Sequence, residues 1–171
     1  RAGDFSTLAE ALNYAAQGRT GYNFYDGRGK LSAVLPFSKL LDKAKSLAQR
    51  LSGLGLERGA RMALVADTHP DFIRFFFACQ YAGLIPVPLP ASIHMGGRKT
   101  YVDQLPRLLI SCRANVAMAT DDFFPFLNEA AEGLDLCFCG TPRTFDELPK
   151  ASIPLSPLGP KELAYIQYTS G

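Results

Sequence analysis

The sequence predicts an α/β fold, in which an open, mostly parallel sheet carries helices on both faces and a small β-hairpin lies to one side. Apolar runs of strand length alternate along the chain with capped, amphipathic helices, which is typical of a parallel sheet. The run at 61–66 is almost continuously hydrophobic, as expected of a strand covered on both faces. Strands are predicted near 61–66, 85–88, 116–119, 134–139 and 163–168.

The first part of the chain predicts a short helix, a hairpin and a longer helix. Apolar residues within 8–15 recur at helical spacing. Two β-prone runs in 22–35 flank the turn sequence Asp-Gly-Arg-Gly at 26–29, which favours a hairpin. Ser38 is the predicted N-cap of a helix over 39–53, whose apolar residues follow the 3.6-residue period.

A second long helix is predicted over 70–82. Thr68 and Asp71 have the spacing of a capping box, and Gly83 ends the helical pattern. The four phenylalanines in this helix leave two interpretations open, a wall of an acyl-binding pocket or packing in the core. Because the helix is apolar on nearly all sides, the pattern favours the core.

Prolines constrain the segments that follow. The prolines at 86, 88 and 90 each remove a backbone donor, so the strand there must be short. The next helix is predicted over 98–112 and contains Pro106, which we expect to kink or loosen it because one helical hydrogen bond is lost.

Two helix-start signals and a linker follow. The first signal is at 120–122, and the second is Thr144 with Glu147, a capping box for a single helical turn. The stretch 149–160 contains four prolines and predicts a linker laid over the surface, which leads into the strand predicted at 163–168.

Composition argues against several classes of protein. The chain has 171 residues, 47% of them hydrophobic, which suits one packed domain. Its net charge of +2 is nearly balanced and no run of Lys or Arg forms a stripe, so no nucleic-acid partner is expected. No apolar stretch reaches the roughly 18 residues of a transmembrane segment, and the first residues do not form a signal peptide. We therefore expect a cytoplasmic protein.

The four cysteines predict packing rather than chemistry. Cys137 and Cys139 would face the same side of one strand, too close for ordinary disulfide geometry. A metal site would need further Cys or His at matching spacing, and His69 and His94 lie in different segments. We expect reduced cysteines at packing positions, histidines in loops or caps, and no metal site.

The last residues of the sequence carry the main functional hypothesis. Residues 163–168 predict a buried strand that leads directly into Thr169, Ser170 and Gly171. Hydroxyls and backbone N–H groups at the carboxyl end of a parallel strand can close on phosphate oxygens. The same three residue types are common in surface turns, so the motif alone leaves both interpretations open.

Three stretches together resemble the adenylate-forming enzyme superfamily, which includes acyl-CoA synthetases, nonribosomal-peptide adenylation domains and fatty-acyl-AMP ligases. They are Gly-Leu-Glu-Arg-Gly-Ala-Arg-Met-Ala-Leu at 55–64, the run from Asp-Phe to Pro-Val-Pro at 71–88, and Ala-Tyr-Ile-Gln-Tyr-Thr-Ser-Gly at 164–171. The Gln-Tyr-Thr-Ser-Gly ending, and the prolines at 86–90 followed by Gly-Gly-Arg and Tyr101, look most like fatty-acyl-AMP ligases. The resemblance covers roughly residues 5–171.

By this resemblance, Thr169, Ser170 and Gly171 open the loop that binds the phosphates of ATP, and residues 1–171 are an amino-terminal fragment of an AMP-binding domain, cut within that loop. The resemblance implies ATP and Mg²⁺ for the whole enzyme. The adenine-binding segment, the metal-coordinating acid and the catalytic Lys would lie beyond this chain, so no catalytic residue is expected within it. Ala60 departs from the family's Gly-Asp-Arg turn, which puts one turn contact in doubt.

The resemblance also implies that the whole enzyme is an ATP-dependent acid ligase. It would convert a fatty acid to acyl-adenylate and pyrophosphate and pass the acyl group to an acyl carrier protein. A long-chain fatty-acyl-CoA synthetase is one alternative, and a non-catalytic α/β interaction domain on the same scaffold is another. The 171-residue chain alone should be inactive, and should self-associate through the face on which the rest of the enzyme would pack.

Overall fold

The structure, a computed structural model, describes residues 4–65, 68–91 and 97–168, so His94, Thr169, Ser170 and Gly171 lie outside the described residues. The helices are α1 (Leu8–Ala15), α2 (Phe37–Ser52), α3 (Pro70–Ala82), α4 (Gly97–Ser111), α5 (Phe124–Ala131) and α6 (Pro142–Glu147). The strands are β1 (Gly21–Tyr25), β2 (Leu31–Pro36), β3 (Arg61–Val65), β4 (Ile85–Leu89), β5 (Ala114–Ala119) and β6 (Phe138–Gly140).

Two sheets are formed by these strands. The larger has the order β4-β3-β5-β6 and is parallel throughout. The smaller is the antiparallel hairpin of β1 and β2, in which Gly21 pairs with Pro36. In its turn, the Asp26 carboxylate accepts the N–H groups of Arg28 and Lys30, each at 2.9 Å. The predicted parallel sheet and the separate hairpin are therefore confirmed.

The larger sheet has a core on each face. Along β3, Met62 and Leu64 belong to one core and Ala63 and Val65 to the other, as strand geometry requires. The hairpin, α1, α2, α3 and α6 contribute to the first core, and α4 and α5 to the second. Burial on both faces explains why β3 is hydrophobic at almost every position.

An aromatic cluster closes the first core at the β6 end of the sheet. The Phe145 ring of α6 meets Phe75 of α3 edge-on at a centroid distance of 5.1 Å, and Phe138 of β6 at 4.7 Å. Phe75 and Phe145 are fully buried. The phenylalanines at 72, 76 and 77 pack against the same core, so the prediction of core packing for α3 is confirmed.

The N-caps predicted for three helices were wrong, although α3 itself spans the predicted residues 70–82. Pro70 and Pro142 are the first residues of α3 and α6, a position that tolerates proline because its N–H would be unpaired in any case. The N-caps are therefore His69 and Thr141, not Thr68 and Thr144. Helix α2 begins at 37 without a side-chain cap, so Ser38 is not its N-cap.

The capping partners of α3 and α6 also differ from those predicted. His69 Nδ1 accepts the Asp71 N–H at 3.1 Å, which confirms the expected cap role of this histidine. In α6 the box joins Thr141 to Thr144, and Glu147 is instead the last residue of the helix. Helix α5 begins at Phe124, two residues beyond the 120–122 signal, and its N-cap makes no side-chain bond.

Pro106 lies inside α4 without ending it. Tyr101, Leu105 and Leu109 are buried along the predicted face of this helix. The helix therefore runs from Gly97 to Ser111 through the position where a kink was expected.

The two later strands are shorter than predicted. Only Phe138–Gly140 of the run 134–139 pairs with β5. Residues 163–168 lie beside β4 but do not form a ladder, since the one backbone hydrogen bond between them joins Ile166 N–H to the Pro86 carbonyl at 3.1 Å. The prediction of a strand at 163–168 was therefore wrong.

The prolines of β4 explain why this ladder does not form. The Ile85 N–H bonds to the Ala60 carbonyl, so residues 85, 87 and 89 direct their backbone groups towards β3. Positions 86 and 88 face outward, and both are proline without an N–H. In a parallel ladder the partner of the Ile166 carbonyl would be the N–H of residue 88, so only one bond of the pair can form.

Replacing Phe145 tests the aromatic cluster. Phe145→Ala should lower the free energy of unfolding by about 3–5 kcal/mol, because a fully buried ring leaves a cavity between two other rings. Urea unfolding measures the loss. Phe145→Leu should cost less, and Tyr25→Ala, at a position 55% exposed, should stay within about 0.5 kcal/mol of the native chain. Equal losses for Phe145→Ala and Tyr25→Ala would contradict the assigned packing.

Candidate functional site

The candidate site is the segment that leads into Thr169, here called the lead-in segment (residues 161–168). Along it, Ala164, Ile166 and Tyr168 are half-buried, whereas Leu163 and Tyr165 are exposed. This alternation is that of an extended chain with one face on the protein. The residues predicted to bind phosphate follow directly.

Three hydrogen bonds attach the inward face of the lead-in segment. Gln80 Nε2 donates to the Ala164 carbonyl at 2.5 Å. Ile166 N–H donates to the Pro86 carbonyl, and the Tyr168 hydroxyl donates to the Leu108 carbonyl at 3.2 Å. These attachments are spaced two residues apart and belong to α3, β4 and α4 respectively. On the outward face, the Tyr165 ring packs on Phe76 at a centroid distance of 5.7 Å.

A guanidinium fixes the start of the lead-in segment. Arg58 Nε and Nη2 donate to the two carboxylate oxygens of Glu162 at 2.7 and 2.6 Å. Arg58 Nη1 also donates to the carbonyl and hydroxyl of Ser156, at 2.8 and 2.9 Å, and Nη2 donates to the Pro157 carbonyl at 2.7 Å. We call Arg58, Ser156, Pro157 and Glu162 the Arg58 clamp. The clamp joins the turn before β3 to both ends of the loop 156–162.

The electrostatics of the clamp favour the charged forms of both partners. The hydrogen bonds from Arg58, followed by one from the Gly159 N–H at 2.6 Å, lower the pKa of Glu162 to about 2. The hydrogen bond to Glu162 raises the pKa of Arg58 above its ordinary value. The two side chains are 41% and 36% exposed, so water and salt screen the attraction, and its role is mainly geometric.

Gly83 shares space with the clamp. It closes α3 in the left-handed region, with φ of 73°. A Cβ at this position would lie 2.8 Å from Arg58 Nη1 and 3.1 Å from the Ser156 carbonyl oxygen. The Gly83 carbonyl also accepts the Gly59 N–H at 2.8 Å, while the backbone of Ala60 bonds Glu57 and Ile85. The turn is therefore closed by backbone groups, without an acidic side chain at position 60.

A second concave region lies where the carboxyl ends of β3, β5 and β6 meet, which is where α/β sheets commonly bind ligands. It is a surface pocket of about 750 Å³ with a mixed lining that includes Lys43, Asp71, Arg74, Asp121 and Asp146. Within the described ranges, no group of three or more His, Cys, Asp or Glu converges as metal ligands would.

Arg74 occupies part of this pocket in a structural role. Its Nη1 donates to both carboxylate oxygens of Asp146, at 2.9 and 2.8 Å. Its Nε lies 2.9 Å from Asp71 Oδ1 as an ion-pair contact without hydrogen-bond geometry. The side chain is 11% exposed and ties α3 to α6. We assign no ligand to this pocket.

Sequence reasoning did not identify the residues that hold the lead-in segment. Gln80 gave a usable signal, because it is the one amide in an otherwise mostly apolar helix, and the structure shows it to be only 2% exposed. Arg58 and Glu162 gave none, since each is an ordinary charged residue in a turn and they lie 104 positions apart.

The cysteines follow the predictions except at one position. All four are free, and Cys79 and Cys112 are buried as predicted. Cys139 is half-buried, but Cys137 is exposed and precedes β6, so its predicted packing role was wrong. The strand that would have carried it is too short to do so.

The chain matches proteins of known families over most of its length. Residues 33–171 match the family of AMP-binding enzymes. A Caulobacter vibrioides protein with the provisional name acyl-CoA synthetase is 40% identical over 171 residues, covering 100% of this chain. A medium-chain-fatty-acid–[acyl-carrier-protein] ligase of Moorena producens is 27% identical over 175 residues, covering 98% of this chain.

A solved structure from work on fatty acyl-adenylate ligases of E. coli and L. pneumophila has the same fold. It superposes with a TM-score of 0.93 at 40% identity, covering 100% of this chain and 31% of that chain. The chain therefore belongs to the AMP-binding, adenylate-forming enzyme family. It spans 30% and 29% of the lengths of the Caulobacter and Moorena relatives. In the part of the chain that is described, the helices are too short or too polar to cross a membrane.

The clamp should weaken in acid. The pKa of Glu162 is about 2 in the folded chain and about 4.3 in an unfolded one. A lowered carboxylate pKa gives stability that is complete above the unfolded value and is lost as pH falls towards the folded value. The difference in urea midpoint between the native chain and Glu162→Gln should be constant above pH ~5 and should shrink below pH ~4.3.

The control is Glu132→Gln, which removes an exposed carboxylate outside the clamp. A Glu162→Gln difference that stays constant from pH 6 down to about pH 2.5 would contradict the assigned pKa and its cause.

Proposed function

We propose that the protein containing this chain is a fatty-acyl-AMP ligase that uses Mg·ATP as a substrate. A fatty-acid carboxylate oxygen attacks the α-phosphorus, the bond to the bridging oxygen of pyrophosphate breaks, and acyl-adenylate forms. A carrier-protein thiol then attacks the acyl carbonyl and AMP leaves. We assign Thr169, Ser170 and Gly171 to the start of the ATP phosphate-binding loop.

The observation that carries this proposal is the fixed lead-in segment. Three attachments at Ala164, Ile166 and Tyr168 hold it against α3, β4 and α4, up to the residue before Thr169. Hydroxyl and backbone donors in such a place can stabilise charge that accumulates on phosphate oxygens in the transition state, provided that they are held before the reaction begins. The likeness to fatty acyl-adenylate ligases over the whole chain supports the same reaction.

Two relatives favour different acceptors for the acyl group in the second step of the reaction. The Moorena relative is a ligase to an acyl carrier protein, and the Caulobacter relative carries the name of a CoA synthetase. A fatty-acyl-CoA synthetase is therefore the second candidate. The two share the adenylation step and differ only in the thiol that receives the acyl group.

The assigned loop residues can be tested in the whole protein. Thr169→Ala and Ser170→Ala should slow fatty-acid-dependent pyrophosphate release by about 10- to 1000-fold, if each removes a donor that acts mainly in the transition state. Pyrophosphate release under saturating ATP gives the rate. Ser152→Ala, an exposed serine in the linker, is the matched control and should keep the native rate. Native rates in both loop variants would refute the assigned role.

The acceptor is tested by omitting CoA. The proposal predicts pyrophosphate release without CoA, and acyl transfer to a carrier protein that bears a phosphopantetheine thiol. Mass spectrometry of the carrier detects the acyl group. A strict requirement for CoA in product formation would move the assignment to the synthetase.

The 171-residue chain alone should not bind ATP measurably. The start of a loop offers a few donors worth about 1.5–3 kcal/mol each to a charged acceptor, whereas fixing a ligand costs an estimated 4–15 kcal/mol. Titration calorimetry with Mg·ATP measures the affinity. A dissociation constant below about 100 μM would show that a complete nucleotide site lies within these residues.

Self-association of the chain, through a surface that includes the exposed Leu163 and Tyr165, stays a prediction.

A further inference from the structure

The lead-in segment lacks the paired hydrogen bonds of a ladder, which normally fix the register of a strand. In a parallel ladder, paired bonds from each outward residue set the position of the next strand. The outward residues of β4 are Pro86 and Pro88, and Ile166 makes its single bond to the Pro86 carbonyl. A slip of one residue would exchange the two faces of the segment and bury Leu163 and Tyr165 in place of Ala164 and Ile166.

Gln80 is one of the side chains that hold the lead-in segment in place of ladder hydrogen bonds. Gln80 is 2% exposed, and its side-chain amide donates to the Ala164 carbonyl. Its backbone carbonyl accepts the Leu158 N–H at 2.9 Å. The same residue therefore holds two points of the chain that lie six positions apart. Loss of the amide would leave a carbonyl in a half-buried position without its donor.

The Arg58 clamp holds the chain at the start of the lead-in segment. It fixes Ser156, Pro157 and Glu162 at once, so it closes the loop that precedes the lead-in segment. Glu162 lies seven positions before Thr169, about 23 Å of extended chain at ~3.3 Å per residue. A displacement at the clamp would therefore shift the extended segment relative to its attachments at Ala164, Ile166 and Tyr168.

We propose that Arg58 and Gln80 are positioning residues, which set the register of the lead-in segment and so place Thr169, Ser170 and Gly171 against the phosphates of ATP. The kinetic part of this inference rests on the function proposed above. The two side chains do not touch the reacting atoms, and they act through residues 156–168. Placement errors of about 1 Å in a reacting group can cost about 100-fold in rate. Side chains that set the position of the loop therefore affect the chemical step.

The test uses the whole protein and two readouts. The variants are Arg58→Gln and Gln80→Leu, and the controls are Asp26→Asn and Arg50→Gln. Asp26 is a carboxylate that holds backbone N–H groups in the hairpin turn. Arg50 donates to the Leu148 carbonyl, at the start of the same linker but away from the lead-in segment. The readouts are steady-state kinetics of pyrophosphate release and amide hydrogen exchange at Ile166.

Each positioning variant should lower kcat by about 10-fold, with the KM for the fatty acid unchanged, and should speed exchange at Ile166 by about 5- to 10-fold. Exchange at Leu64 in the core should stay at the native rate. Both controls should keep the native kcat and the native exchange at Ile166. Equal losses of kcat in Arg50→Gln and Arg58→Gln would overturn the proposal, because any loosening of the linker would then be enough to lower kcat.

A second-site variant distinguishes a loss of register in the lead-in segment from a general loss of stability. Pro88→Ala supplies the N–H that the Ile166 carbonyl lacks, so in the Gln80→Leu background it should recover about half of the lost protection and part of kcat. Failure of Pro88→Ala to slow exchange at Ile166 in this background would overturn the proposed register mechanism.

The two proposals fail in different ways. A whole protein that releases no pyrophosphate with any fatty acid would overturn the proposed function, and the exchange readout would still decide whether Arg58 and Gln80 fix the register. An active protein whose positioning variants exchange faster at Ile166 but keep the native kcat would overturn the positioning role alone. Unchanged exchange in both variants would overturn it as well.

Discussion

Arg58 joins the turn before β3 to residues that lie 98 to 104 positions later in the chain. The need for such a contact follows from the sequence of the linker. Each of the four prolines at 149–160 lacks an N–H, so this region is held partly through its N–H groups, as at Leu158, and partly through its carbonyl oxygens. Side chains of the folded body donate to the carbonyl oxygens of the linker and of the residues that flank it: Arg50 to Leu148, Arg58 to Ser156 and Pro157, and Gln80 to Ala164. A guanidinium suits this role because its planar fork donates in several directions at once, which an ammonium does less well.

The parallel sheet and its helices could be predicted because burial leaves a period in the sequence. The strands β3 and β5 are covered on both faces and are apolar almost throughout, and α3 and α4 show their buried sides at helical spacing. The predicted N-caps were wrong where a proline occupies the first helical position, as at Pro70 and Pro142, because the true cap is the residue just before that proline. The apolar run at 163–168 also has the residues of a strand, and what prevents a ladder is located in β4, about 80 positions earlier.

Some parts of the candidate site could likewise be predicted from the sequence, and others could not. The Thr169–Gly171 stretch could be singled out in the sequence because the phosphate-binding loops that it resembles use a small set of residue types in a row, and its assigned role stays a prediction. The residues that hold the preceding segment could not, because Arg58 and Glu162 become neighbours only when the fold is complete. Gln80 stands between these cases, since a lone amide among apolar residues on a helix indicates a buried partner without saying which one.

The prolines of β4 have a consequence for association as well. An edge strand normally shows a row of free donors and acceptors on which a strand of another chain can pair, and this is a route to aggregation. The outer edge of β4 keeps its acceptors but has no donors at positions 86 and 88. A strand of another chain at this edge would find the same incomplete set of partners as the lead-in segment, because the donors at positions 86 and 88 are absent. The two prolines therefore make the outer edge of β4 a poor template for fibre growth.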